Sequence, residues 1–116
     1  MMLGAEGMRL VAKRARQQFA NMLALELGAE IYSAAMRGAN EVCKTFDLCA
    51  KDLNFNLACE IGEYIVSDLD EYDYLVDYLV IDGKDLKLEV HAFWGENKED
   101  FYPMVEEEEV LYADLL

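Results

Sequence analysis

The stretch Asp68–Trp94, DLDEYDYLVDYLVIDGKDLKLEVHAFW, decides the fold, because its first half supports two periodicities at once. As a strand, residues 71–81 pair with 86–94 across Asp82–Gly83–Lys84–Asp85, and Asp-Gly is a strong hairpin signal. That pairing sets Leu86, Leu88, Val90 and Trp94 on one face with Asp73 and Asp77. Tyr72, Tyr74, Val76 and Tyr78 then share the other face with Lys87, Glu89 and His91, so apolar and charged residues collide on both sides. Read as a helix, the segment has no such conflict. Leu69, Tyr72, Leu75, Val76, Leu79 and Val80 form one arc, and Asp70, Glu71, Asp73, Tyr74, Asp77 and Tyr78 form the other. Ser67 with Asp70 resembles a capping box, and acids in a first turn suit the helix dipole. The spacing therefore favours a helix over 68–79 that enters a short hairpin at Asp82–Gly83. Residues 86–94 read as a strand, with Leu86, Leu88 and Val90 inward and Lys87, Glu89 and His91 outward.

Upstream, residues 53–66 are equally divided. Leu53, Phe55, Leu57, Cys59 and Ile61 alternate with Asp52, Asn54, Asn56, Ala58 and Glu60, while Leu53, Leu57, Ile61, Tyr64 and Ile65 fit a helical stripe. The alternation runs over ten residues and tilts the reading to strand. The N-terminal region reads as helix: Met8, Val11, Ala12, Ala15, Phe19, Met22, Leu23 and Leu27 follow helical spacing. Arg9, Lys13, Arg14, Arg16 and Gln17 fall elsewhere on the cylinder, as a solvated face. Gly28 is a candidate stop or bend, and Gly38 is placed to terminate a second helical stretch ending at Arg37. Asn40 can then cap a third, with Val42, Cys43, Phe46, Cys49 and Ala50 on one face. After Pro103, a helix from about Met104 would turn Val105, Val110, Leu111 and Leu115 to the core; an extended tail is the alternative. The resulting expectation is an α+β fold in one domain, residues 1–116. An N-terminal helical hairpin or bundle packs on a small antiparallel sheet, and an acidic C-terminal helix or tail follows.

Composition narrows the function. An apolar content of 54% supports a real core, and no apolar run reaches the roughly 18–20 residues a membrane span needs. Three cysteines, Cys43, Cys49 and Cys59, make an odd count without zinc-ligand spacing. A cytoplasmic, reducing setting with the cysteines as small apolar residues follows. The net charge is −14, and it is unevenly spread. Residues 1–67 hold eight acids and seven bases, whereas residues 68–116 hold sixteen acids and three bases. Such a field repels nucleic acid and anionic membranes and attracts cationic surfaces.

Chemistry finds little purchase. His91 is the sole histidine and no local motif ties it to a cysteine, so a nucleophile–base pair is not indicated. The glycines form neither a phosphate loop nor a dinucleotide fingerprint, and no cofactor is implied. Asp68-x-Asp70-x-x-Asp73 fails as a calcium loop, because Tyr72 and Asp73 stand where a ligand and glycine are required. No metal site is expected.

What remains is the acidic, tyrosine-bearing half. Asp70, Glu71, Asp73 and Asp77, with Tyr74 and Tyr78 beside them, are the candidate partner-binding residues, and Glu106, Glu107, Glu108 and Glu109 extend the field. Tyrosine anchors interfaces through a rigid ring with a polar tip, and carboxylates complement a basic surface. The expected function is a non-enzymatic binder that inhibits or neutralises a basic protein: a nucleic-acid mimic, or an immunity-type inhibitor of a toxin or nuclease. The alternative is a small acidic chaperone or adaptor for a secreted or assembling client, which would act as a homodimer through an apolar groove.

Overall fold

The structure, a computed structural model, describes residues 4–49 and 51–102. Its elements run α1 (Ala5–Met36), β1 (Glu41–Asp47), α2 (Phe55–Asp70), β2 (Leu75–Asp82) and β3 (Leu86–Phe93), followed by a 3-10 turn at Lys98–Asp100. The strands form one antiparallel sheet in the order β1-β3-β2, and both helices pack against it. The architecture is α+β, with helices laid on a small antiparallel sheet. Its helical layer is α1 plus α2, rather than consecutive pieces of the first fifty residues.

Helix α1 runs unbroken for 32 residues, straight through Gly28. Leu23, Ala24, Leu27, Ile31 and Ala34 are buried on both sides of that glycine, so packing outweighs the roughly 1 kcal/mol that an interior glycine costs a helix. The stop comes at Gly38, as its sequence position predicts. Gly38 adopts φ +86°, its N–H donates to the Ala35 carbonyl, and the Ala39 N–H reaches back to that of Ala34. This is a Schellman closure, which needs a residue free to enter the left-handed region. The anticipated third helix is instead β1. Val42, Lys44 and Phe46 turn inward while Glu41, Cys43, Thr45 and Asp47 are exposed, a strict period of two carried by Val, Thr and Phe.

The ambiguous stretch 53–66 resolves as helix from Phe55 onward, against the strand reading. Asn54 caps α2 by accepting the Leu57 N–H at 2.9 Å, and Ala58, Ile61, Gly62, Ile65 and Leu69 line its buried side. The alternation over 53–61 arose because a cap residue and the first helical turn happened to alternate in polarity. Conversely, the helix expected over 68–79 ends at Asp70, and β2 follows. The conflict that argued against a strand there vanishes by one residue of register. Asp82 pairs with Leu86, leaving a three-residue loop Gly83–Asp85, so Val76, Tyr78 and Val80 oppose Ala92, Val90 and Leu88 on the core face. A shift of one moves every side chain to the opposite side of the sheet.

The core gathers Leu27, Leu48, Ile61, Ile65, Leu88 and Val90, all fully buried between helices and sheet. Gly62 permits the closest approach: a Cβ there would sit 2.5 Å from the Tyr78 ring. Among the described residues, no helix is long and apolar enough to cross a membrane. The candidate helix or tail from Met104, including Glu106–Glu109, lies outside the described residues.

Candidate functional site

The six candidate residues within the described chain do not share a helix face. Asp70 closes α2, Glu71 is its C-cap, and Asp73 and Tyr74 lie in the turn leading to β2. Asp77 and Tyr78 sit on β2 with opposite facing. Tyr78 is a core residue. Its ring covers Gly62 and its hydroxyl donates to Glu63 Oε1 at 2.8 Å; burial, then the Glu63 carboxylate, push the phenol well above its usual range. Asp77 faces outward opposite His91, and its Oδ1 accepts the Tyr78 N–H at 2.9 Å.

The α2–β2 turn builds something the sequence reading missed. Tyr72, Asp73 and Tyr74 form one wall of an open groove of about 500 Å³; Gly28, Ile31, Tyr32 and Ala35 of α1 form the facing wall, and Trp94 closes an end. Tyr74 and Trp94 meet edge to face, with ring centroids 6.2 Å apart and planes at 83°. Asp73 holds φ +67°, a left-handed conformation that aspartate tolerates better than most residues. Its N–H donates to the Asp70 carbonyl, which ties the turn to the helix end. Gly28 lines the groove beside open space, since a Cβ there would meet nothing within 4 Å.

The electrostatics of this turn are unusual. The C-terminal end of a helix is its negative pole and favours cations. Helix α2 has no basic residue in its last turn, and Asp68 and Asp70 occupy it, with Glu71 just beyond. Each carboxylate placed against the dipole costs a few tenths to 1 kcal/mol, and such local conflicts concentrate at functional sites. Aromatic faces backed by carboxylates are the chemistry that receives a guanidinium or ammonium group.

A second juxtaposition also escaped the sequence. Cys43, His91 and Asp77 lie in one row across the outer face of the sheet, on β1, β3 and β2. His91 is not solvated as expected of an outward strand position, being only 9% exposed. Phe101 stacks on its ring at 5.0 Å, and its Nε2 donates to Glu41 Oε1 at 2.7 Å. The Cys43 thiol is pushed up to about 11 by burial and by Glu89. An activated nucleophile requires the reverse shift. Cys49 is likewise raised, through its hydrogen bond to Asp47. Among the described residues, no group of three His, Cys, Asp or Glu side chains is placed to hold a metal ion.

The fold and the groove thus define a small α+β domain with an acidic, aromatic-walled cleft. No family model, curated protein or solved structure matches the chain.

Of the groove, Asp73 and Tyr74 were legible as candidates, with Asp70 and Glu71 on the same turn. Tyr32 and Trp94 were not, because the fold alone brings them to it. The one available signal was that Trp94 is the sole tryptophan, next to a glycine at the end of the safest strand.

Proposed function

We propose that the protein is a non-enzymatic acidic binder that captures and neutralises a basic protein, as an immunity-type inhibitor does. The supporting observation is the groove: Tyr32, Tyr72, Tyr74 and Trp94 around Asp73, set at the negative end of α2 beside Asp70 and Glu71. The net charge of −14 steers a cationic surface to the protein, and Asp70, Glu71 and Asp73 at the turn draw a protruding arginine or lysine in between the rings. Cation–π contact contributes about 0.5–2 kcal/mol there, more as water is excluded. Asp77, on the outer sheet face, acts through the long-range field rather than through contact, and Glu106–Glu109 add to the net charge. Capture of a protruding side chain suits this geometry better than imitation of a phosphate backbone, because the carboxylates cluster at a turn instead of following a line. The three free thiols suit a reducing cytoplasm.

Trp94 makes the reading directly testable, because it is the only tryptophan and it lines the groove. Titration with an arginine-rich peptide at low salt is expected to change its fluorescence saturably. Affinity should fall steeply as salt rises and by about tenfold in Asp73→Asn, a change that keeps the left-handed turn. Unchanged emission at low salt, or binding indifferent to salt, would overturn it.

The chaperone or adaptor reading has one observation in its favour, the exposed apolar residues along α1, including Met8, Met22, Leu25 and Met36. It predicts client capture that survives salt.

A further inference from the structure

A second cavity lies where the loop between β1 and α2 meets the first half of α1. Its volume is about 230 Å³, and it shares no residue with the groove. Phe19, Leu53, Leu57 and Ile61 give it an apolar lining continuous with the core: Ile61 is fully buried, and Phe19 and Leu53 pack against the core cluster. Two cations, Arg16 and Lys51, converge on the same space in a chain with only 10 bases against 24 acids. Neither is fully engaged. Arg16, its side chain 18% exposed, donates through Nε to Glu60 Oε2. That bond fixes the guanidinium, while its two terminal nitrogens make no hydrogen bond to a described residue. The Lys51 ammonium lies over the Phe19 ring, 4.8 Å from its centroid, and pairs with no carboxylate among the described residues. Leu53 and Leu57 bring the start of α2 to the cavity. This is the positive pole of a 16-residue helix, and no acid occupies its first turn.

We propose that this cavity binds a small organic acid with an apolar body and a single carboxylate. The carboxylate is received by the terminal nitrogens of Arg16 and by the Lys51 ammonium, and the body lies along Phe19, Leu53 and Leu57. Charge complementarity selects this occupant. A neutral apolar molecule would strip water from two cations and return nothing to them. Inorganic phosphate would leave the apolar lining unfilled, and its second charge would meet Asp52, the one carboxylate that lines the cavity. The volume falls below the roughly 300–1,000 Å³ of drug-sized pockets, which suits a small molecule better than a stretch of peptide. This site and the groove attract opposite charges, so the two are tested separately.

Octanoate is the probe, added to the full-length protein and followed by titration calorimetry and by the methyl NMR signals of Leu53, Leu57 and Ile61. Saturable binding is expected, with shifts concentrated at those methyls, and octanol should bind about tenfold more weakly. Lys51→Gln should weaken octanoate by about tenfold while far-UV circular dichroism is unchanged, because this side chain is exposed and holds no ion pair. Arg16→Gln should weaken it as well, but it also strands Glu60, so Lys51→Gln is the decisive variant. Asp73→Asn, in the groove, should leave octanoate affinity as it is. Octanol binding as tightly as octanoate would reduce the cavity to an apolar crevice and overturn the proposal. Displacement of octanoate by inorganic phosphate, an affinity indifferent to Lys51→Gln but sensitive to Asp73→Asn, or no saturable binding at millimolar octanoate would overturn it equally.

Discussion

The two helices of this fold each carry a glycine in mid-course, and the two glycines answer to different neighbours. Gly62 in α2 is pressed against the Tyr78 ring, whereas Gly28 in α1 faces open space. Helix α2 is an ordinary amphipathic element: Ala58, Ile61, Ile65 and Leu69 are buried on one side, and Asn54 caps its start. Helix α1 has no side-chain cap and apolar residues on opposite flanks. The contrast teaches that apolar spacing locates a helix but does not say what it packs against. In α2 Phe55 alone among the large apolar residues is exposed; in α1 seven are, from Met8 to Met36.

Substitution can sharpen this contrast. The largest effect is expected within α1 itself. Leu27 is fully buried, so Leu27→Ala should cost about 2–5 kcal/mol in denaturant unfolding. Leu25→Ala, two positions away on the exposed side, should shift monomer stability by less than about 0.5 kcal/mol. Comparable losses at both positions would erase the distinction between the two sides. Gly62→Ala comes next: the added methyl meets the Tyr78 ring, and overpacking of that kind costs about 1–3 kcal/mol, measurable as a lowered melting temperature. The smallest change has the opposite sign. Gly28→Ala should stabilise by about 0.5–1 kcal/mol through helix propensity alone, read as a raised melting temperature.

How much of this was legible in the sequence varies by element, for physical reasons. Gly38 was readable because a helix terminator acts locally, through one residue's freedom to adopt positive φ. The β3 strand was readable because Leu86, Leu88 and Val90 alternate with charges. The 68–80 segment was not, since its apolar residues satisfy both periods, and what separated them was a three-residue loop in place of four. That distinction lies in backbone geometry at Gly83–Asp85, not in composition. Likewise, Met8, Val11 and Met22 carry helical spacing as good as that of Leu23 and Leu27, yet only the latter pair is buried. For the candidate site, the acidic turn could be located along the chain. Its aromatic partners Tyr32 and Trp94 reach it only through tertiary structure.

The position of Asp77 has a consequence for the protein's behaviour at high concentration. Strand β2 is an edge of the described sheet, and between Tyr74 and Ile81 every residue but one is apolar or aromatic. An edge of that composition is a template on which further strands stack into fibrils. Asp77 falls at its middle, its carboxylate already engaged with the backbone of the next residue. A single negative charge there makes lateral addition of another β2 bring like charges together at the centre of the new ladder. One carboxylate at this position thus works against neighbouring copies zipping into aggregates.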